Sequence, residues 1–334
     1  MRRTHFEALR PICPLCRGAL AVASAIRETD GDLFEGILAC GDCAREYPVI
    51  DGIPVIVGPI RAWLSANPLQ ILLRDDLSPE VESLIGDVLG PGSAFDTQRH
   101  HTGIYADDHY GGGSAIALLE RTLDGAEEGP AIDTGCATGG TTFHVARKTG
   151  ALTVGVDLNF AMLRVASRAL REGRLSYARR RVGLAYDRRD EPVDAASREL
   201  VDFWCCDVAA LPFPDATFAL AASINVLDCT PAPQNTVAEL ARVLRPGGKA
   251  IISTPYDWSP TATPVEHWLG GHSQRGPHHG SAEPLLRELL SRELDIESEE
   301  PRVPWRVRLH ERSTVEYDVH VITGRRRTPP DKTP

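Results

Sequence analysis

With 334 residues, 42% of them hydrophobic and 25% charged, the chain has the make-up of an ordinary folded protein and enough apolar material for one large or two unequal cores. Its formal charge of −10 offers no surplus of basic residues to a phosphate backbone, which weighs against a nucleic-acid partner without excluding one. No apolar run reaches bilayer length and no apolar signal core follows the first arginines, so the reading is a cytoplasmic protein with no membrane partner; the composition leaves the oligomeric state open.

The first element in chain order is a pair of cysteine knuckles, Cys13-Pro-Leu-Cys16 and Cys40-Gly-Asp-Cys43. Two C-x2-C pairs each wrap half of a tetrahedral ion as thiolates, which predicts a closed structural Zn²⁺ site on Cys13, Cys16, Cys40 and Cys43. Four sulfurs fill the shell and leave no position for substrate, so this metal should fold its module rather than catalyse. The surrounding text, "CPLCRGAL" and "FEGILACGDCAREYPVIDGIPVIV", resembles the zinc-ribbon family of small activator proteins that partner tRNA and release-factor methyltransferases. That resemblance covers residues 1–58 and makes them a zinc-ribbon domain; residues 59–98, apolar at helical spacing with Pro and Gly punctuation, are expected to form a helical linker.

Next comes "RHHTGIYADDHYGGG", rich in metal-ligand types but at no metal-site spacing, and read as a lid or substrate-facing segment. A strand ending near Ile132 then runs into Asp133-Thr134-Gly135-Cys136-Ala137-Thr138-Gly139-Gly140, a tight loop opening a helix, and a second strand ends in Asp157. Glycines let a backbone turn sharply and approach a ligand, and an acid closing the next strand can accept hydrogen bonds from ribose hydroxyls. A dinucleotide site calls for G-x-G-x-x-G facing a pyrophosphate, whereas the carboxylate of Asp133 would repel one and suits a ligand with a cationic amino-acid tail.

This loop, with "LPFPD" at 211–215 and "LRPGG" at 244–248, resembles class I S-adenosylmethionine-dependent methyltransferases. The resemblance implies an α/β fold with a Rossmann-like seven-stranded sheet over residues 99–324, followed by a disordered tail at 325–334. It also implies S-adenosyl-L-methionine as cofactor, held by Asp133, Gly135, Cys136, Ala137, Gly139, Asp157, Leu158, Asp207, Val208 and Asn225, with Asp207 at the adenine amino group. Cys136 is expected to keep the loop compact, and Cys205 and Cys206 to fill the core. The run Arg179, Arg180, Arg181, Arg188 and Arg189, interspersed with acids, reads as a solvated, salt-bridged excursion. The segments "PRVPWRVRLHE" and "STVEYDVHVITG" alternate like two antiparallel strands.

In such a fold the acceptor lies over the carboxyl ends of the fourth and fifth strands, roofed by the segment before the first. Asn225, Tyr256, His109 and His267 are therefore the candidate catalytic residues, and Tyr105, Tyr110, Asp228, Trp258 and Trp268 the candidate substrate contacts, although the two tryptophans suit a domain joint as well as a pocket wall. A narrower resemblance rests on "DDHYG", "REGRLSYARRRVG", "INVLD", "STPYDW" with "TPVEHWLGG", and "VPWRVRLHERSTVEYDVHV": these look like the methyltransferase domain of ovothiol-biosynthesis enzymes. That domain N-methylates the imidazole of a thiohistidine; the fused enzymes carry an iron-dependent sulfoxide synthase module where this chain has a zinc ribbon. The expectation is a small-molecule N-methyltransferase for a histidine-like acceptor, against two rivals: a macromolecular methyltransferase docking through the ribbon, and a non-catalytic S-adenosylmethionine sensor.

Overall fold

A computed structural model describes residues 1–112, 114–123 and 128–328. Its centre is a parallel array in the order β9 (Val201–Cys206), β6 (Thr153–Asp157), β5 (Ala131–Thr134), β10 (Phe218–Ile224) and β11 (Leu244–Thr254). Strands in such an array are covered by helices on both faces, which is why β5 and β9 are buried at every position. The expected antiparallel pair follows: β13 (Ser313–Arg326) lies between β11 and β12 (Leu294–His310), antiparallel to both. Seven strands thus make up the Rossmann-like sheet that the methyltransferase resemblance implies, and the chain direction switches between β6 and β10, opening a crevice above the carboxyl ends of β5 and β10.

The cysteine-bearing segment continues this sheet. Strands β1 (Leu20–Thr29), β2 (Asp32–Cys40), β3 (Glu46–Ile50) and β4 (Ile53–Ile56) form an antiparallel meander, and β4 pairs in parallel with β9, giving an eleven-stranded sheet. Side chains alternate across a strand, so Ile53 and Val55 join the core on one face while Ile56 joins the other. Phe6, Leu38 and Tyr47 share that second core with Trp204 and Phe213, Phe6 lying 6.2 Å from Trp204 and Phe213 stacking on it at 5.4 Å.

The described residues between β4 and β5 include the helices Ile60–Ala66, Pro68–Leu72, Pro79–Leu89, Ala94–Tyr110 and Ser114–Thr122. Ser93 caps the long helix by accepting the Asp96 N–H at 3.2 Å, and the helix runs on past residue 98 to supply the roof of the crevice.

The arginine run is structural. It forms the hairpin of β7 (Arg174–Val182) and β8 (Ala185–Pro192), and its guanidinium groups reach carboxylates on the neighbouring helices: Arg180 to Asp96 at 2.7 Å, Arg188 to Glu82 at 3.0 Å and Arg179 to Asp107 at 3.4 Å. Contact is close enough that a Cβ on Gly103 would stand 2.3 Å from the Ala178 carbonyl oxygen. The hairpin therefore fixes the roof helix; the partners lie far away in sequence, so local charge alternation could not reveal them. At the other end, β13 extends to Arg326, whose guanidinium donates to the carbonyl oxygens of Arg242 at 2.6 Å and Leu244 at 3.0 Å. Residues 329–334 of the expected tail lie outside the described residues. No helix among the described residues is long and apolar enough to cross a membrane.

Candidate active site

The glycine loop begins where β5 ends. Gly135, Ala137 and Gly139 all have positive φ, and the Gly135 N–H donates to the Val156 carbonyl at 2.8 Å, tying the loop to β6. Gly135 tolerates no side chain, since its φ is +70° and a Cβ would stand 2.3 Å from Val226 Cγ2. Asp157 closes β6 and holds the loop from below, accepting from Ala137 N–H at 2.8 Å and from Asn159 N–H at 2.7 Å. The Leu158 N–H also faces this carboxylate, which leaves at least one of its roughly four lone-pair sites for a ligand's hydroxyl. Burial raises its pKa above the ordinary carboxylate value.

A cavity of about 640 Å³ opens at this point, at the switch in chain direction. Of the residues singled out by sequence, Gly135, Ala137, Asp157, Leu158, Val208, Asn225, Tyr105 and His109 line it. Asn225, at φ +56°, turns the chain out of β10; its Oδ1 accepts from Ser253 Oγ at 2.7 Å and its Nδ2 has no partner among the described residues. His109 is spoken for: its Nδ1 accepts the Gly140 N–H at 3.2 Å at the start of the loop helix, and burial lowers its pKa to about 4, so it sits neutral with Nε2 protonated.

The remaining loop residues lie behind the cavity wall. Asp133 is buried, its Oδ2 accepting from Thr141 and Thr142 hydroxyls at 2.7 Å each, and burial pushes it up to about 6. Cys136 and Gly139 are likewise enclosed, Gly139 against Phe203. Asp207, raised by burial, accepts from Ala209 N–H at 2.9 Å, while its neighbour Val208 reaches the lining. Asp228 is buried beside the cavity, accepts from Thr254 Oγ1 at 3.3 Å and is pushed up to about 7.

The aromatic residues expected to converge on this cavity divide instead. Tyr110 turns away on its helix, and its hydroxyl donates to the Thr138 carbonyl at 3.1 Å. Tyr256 and Trp258 line a separate cleft of about 360 Å³, where the Tyr256 hydroxyl meets His320 Nδ1 at 2.6 Å and His320 Nε2 meets Glu299 at 2.9 Å. Trp268 stacks on Trp258 at 5.9 Å with its Nε1 donating to the Thr263 carbonyl, and His267 is exposed against the Pro231 carbonyl. The cause is the path after β11: Tyr256 takes φ +55° and turns the chain sideways, so only Thr261 and Ala262 of this segment come back to the large cavity.

Other walls escaped the sequence reading. Trp63, Asn67 and Gln70 come from the helical stretch after β4, and Gln70 Oε1 accepts the Phe160 N–H at 2.7 Å. His101 and Asp108 share the cavity face of the roof helix with Tyr105, a spacing of i, i+4 and i+7 that periodicity could have disclosed. Cys229, Thr230 and Trp305 complete this side, the last from β12.

In the cysteine-bearing segment, the Sγ atoms of Cys13, Cys16, Cys40 and Cys43 all lie within 4.8 Å of one another, with Cys13 to Cys43 at 3.8 Å and Cys16 to Cys40 at 3.4 Å. A tetrahedron with Zn–S bonds of about 2.3 Å has sulfur–sulfur edges of about 3.8 Å, so the donor set and its spacing fit a four-sulfur zinc.

With this geometry in view, residues 132–252 match the family model described as "Methyltransferase domain", and that part of the chain is a class I S-adenosylmethionine-dependent methyltransferase domain. Among curated proteins, the chain is 31% identical over 198 residues to a 24-methylenesterol C-methyltransferase of Oryza sativa subsp. japonica, covering 53% of this chain and 46% of that protein. It is 30% identical over 147 residues to a probable chloroplastic tocopherol O-methyltransferase of the same organism, covering 42% and 34%. The chain thus spans less than half the length of either relative. Among solved structures, a phosphoethanolamine N-methyltransferase of Haemonchus contortus in complex with S-adenosyl-L-methionine is 18% identical, at a TM-score of 0.43 over 63% of this chain and 44% of that one.

Proposed function

We propose that the protein transfers a methyl group from S-adenosylmethionine to a nitrogen of a small, histidine-like acceptor. The observation that carries this reading is the single cavity of about 640 Å³, in which Gly135, Asp157 and Val208 of the nucleotide loops share walls with Tyr105, Asp108 and Trp305. That volume lies within the roughly 300–1,000 Å³ of small-molecule sites. The residues suit the cofactor: Asp157 keeps an acceptor for a ribose hydroxyl, Gly135 leaves the backbone bare, and Asn225 Nδ2 is a donor without a partner among the described residues.

When bound, S-adenosylmethionine supplies a methyl group already activated by its sulfonium. The chain's own work is then to hold an acceptor lone pair in line and to exclude water, which the enclosing roof helix, with His101, Tyr105 and Asp108 on its cavity face, is placed to do. A neutral imidazole nitrogen needs orientation more than a strong base. In this reading the cysteine cluster holds a structural zinc that stiffens the edge of the sheet, and the site is served from solution by a small partner.

The test is an acceptor screen with 5-thiohistidine, L-histidine and bulk RNA, following release of S-adenosylhomocysteine. Turnover of either imidazole is expected; turnover of RNA alone would replace this reading with the macromolecular one, and none with any acceptor would favour a sensor.

A further inference from the structure

The walls of the large cavity carry acids without cations. Its lining holds two carboxylates, Asp108 and Asp157, and no Lys or Arg among the described residues. Its two histidines are held neutral: burial lowers His109 to about 4, and burial together with the charge of Arg180 lowers His101. Arg180 is itself paired with Asp96 at 2.7 Å. Burial raises the Tyr105 phenol, and Cys229, Asp157, Asp228 and Asp108 each add to the rise, so the field around this ring is negative. A field of that sign attracts a cationic group and opposes an anionic one.

Asp157 and Asp108 stand at opposite ends of the site. Asp108 is hydrogen-bonded to Trp305 of β12, which lies five places along the sheet from β6 and its Asp157. Asp108 is 7% exposed and takes three donors: Trp305 Nε1 at 3.1 Å, the Ser114 N–H at 3.1 Å and the Ala115 N–H. Three of its roughly four lone-pair sites are then filled and one remains. Trp305, held in turn by stacking on Tyr317 at 5.1 Å, and Ala115 line the large cavity, whereas Ser114, Arg306 and Arg308 line a separate outer cleft beyond the carboxylate. The arginines of that cleft are engaged, Arg306 with Glu316 and Arg308 with Asp107 at 4.0 Å, and among the described residues no Arg or Lys pairs with Asp108. Burial, against the three hydrogen bonds and with Asp107 adding to the rise, pushes Asp108 up to about 6, so at pH 8 it is ionised and lacks a counter-charge.

A buried carboxylate with one free acceptor, fixed beside an indole, is a seat for an ammonium group. Resting on the small-acceptor reading above, we propose that Asp108 is the specificity-determining residue of the acceptor site, its carboxylate receiving a hydrogen bond, within the large cavity, from an ammonium group on the acceptor. The acceptor class is an azole bearing an alkylammonium group. The ammonium supplies the missing counter-charge, and its tether limits where the ring nitrogen can lie.

The test is calorimetric titration at pH 8, with S-adenosylhomocysteine present, of two matched pairs that differ only in the ammonium group: L-histidine with 3-(imidazol-4-yl)propanoate, and 5-thiohistidine with its deamino analogue. In the parent chain the ammonium-bearing member of at least one pair is expected to bind about tenfold more tightly or better. Asp108→Asn and Asp108→Ser should each bring the two members within about threefold of each other, while the affinities for the deamino member and for S-adenosylhomocysteine stay near parental. Equal binding within both pairs of the parent, which needs no variant, overturns the assignment and leaves the small-acceptor reading standing. A preference that survives both substitutions also overturns it and points to Asp228. Loss of S-adenosylhomocysteine binding in both variants, at a parental unfolding midpoint, assigns Asp108 to the cofactor instead. Binding of none of the four compounds overturns the small-acceptor reading together with this assignment, and failure of the parent to bind S-adenosylhomocysteine overturns the cofactor reading, so the failures are told apart.

Discussion

Val55 of the cysteine-bearing segment pairs in parallel register with Cys205 of the central sheet, and Ile56 with Cys206, so the last strand of that segment is also a strand of the central sheet. The two parts also share one apolar core through Phe6, Tyr47 and Trp204. They should therefore unfold together.

The first prediction follows. Structural zinc contributes roughly 10–16 kcal/mol of binding free energy in small fingers. Losing even about 5 kcal/mol of it would lower Tm by about 7 °C in a chain of this size. Chelation, or Cys16→Ser with Cys43→Ser, should shift a single calorimetric transition that includes the catalytic part. Two transitions, of which only one responds to the metal, would contradict the coupling.

Asp157 is expected to anchor the cofactor. Each hydrogen bond to a charged group is worth about 1.5–3 kcal/mol, so Asp157→Ala should weaken S-adenosylhomocysteine binding by about a hundredfold or more, while zinc content stays at the parental level. Part of that loss comes from freeing the Ala137 and Asn159 N–H groups. Asp157→Asn, which keeps one oxygen acceptor, should fall between. Calorimetric titration checks both, and parental affinity in the alanine variant would remove Asp157 from the ribose.

Buried carboxylates give the chain an unusual dependence on pH. Asp133 stands at about 6 against its ordinary 3.8, so the folded state binds the proton more tightly than the unfolded one. Its contribution to stability is fully present below about 4 and is lost as pH rises through about 6. At about 1.36 kcal/mol per unit the loss is on the order of 3 kcal/mol. Asp133→Asn still accepts from Thr141 and Thr142 but carries no charge, so its stability relative to the parent should improve between pH 4.5 and 7.5. Urea midpoints across that range measure the difference, in which the parallel effects of Asp108 and Asp228 cancel; a difference that does not change with pH would refute it.

Trp258 and Trp268 stack on each other beside the smaller cleft. Trp268→Ala loses that stack and the bond to the Thr263 carbonyl, and should cost about 2 kcal/mol of stability, less than a fully buried tryptophan, while S-adenosylhomocysteine and acceptor affinities stay within about threefold. Denaturant titration and calorimetry check the two halves. A variant of parental stability that no longer binds acceptor would return this residue to the substrate site.

Short-range features were legible in the sequence because covalent spacing sets them. The C-x2-C knuckles, the run from Asp133 to Gly139, Asp157 at the end of its strand and the alternation of Val303 to Val321 are each fixed by a few residues and one period. Those features determined the strand–loop–helix order, the sheet and the chemistry of the nucleotide loop. Tertiary structure alone decided which side chains meet. Asp108 and Trp305 are 197 residues apart yet hydrogen-bonded, β4 pairs with a strand some 150 residues later, and the turn at Tyr256 carries two tryptophans away from the cavity they were expected to wall. Such contacts follow from how strands order themselves and where a loop turns, and both are settled by packing across the whole sheet rather than by any local pattern.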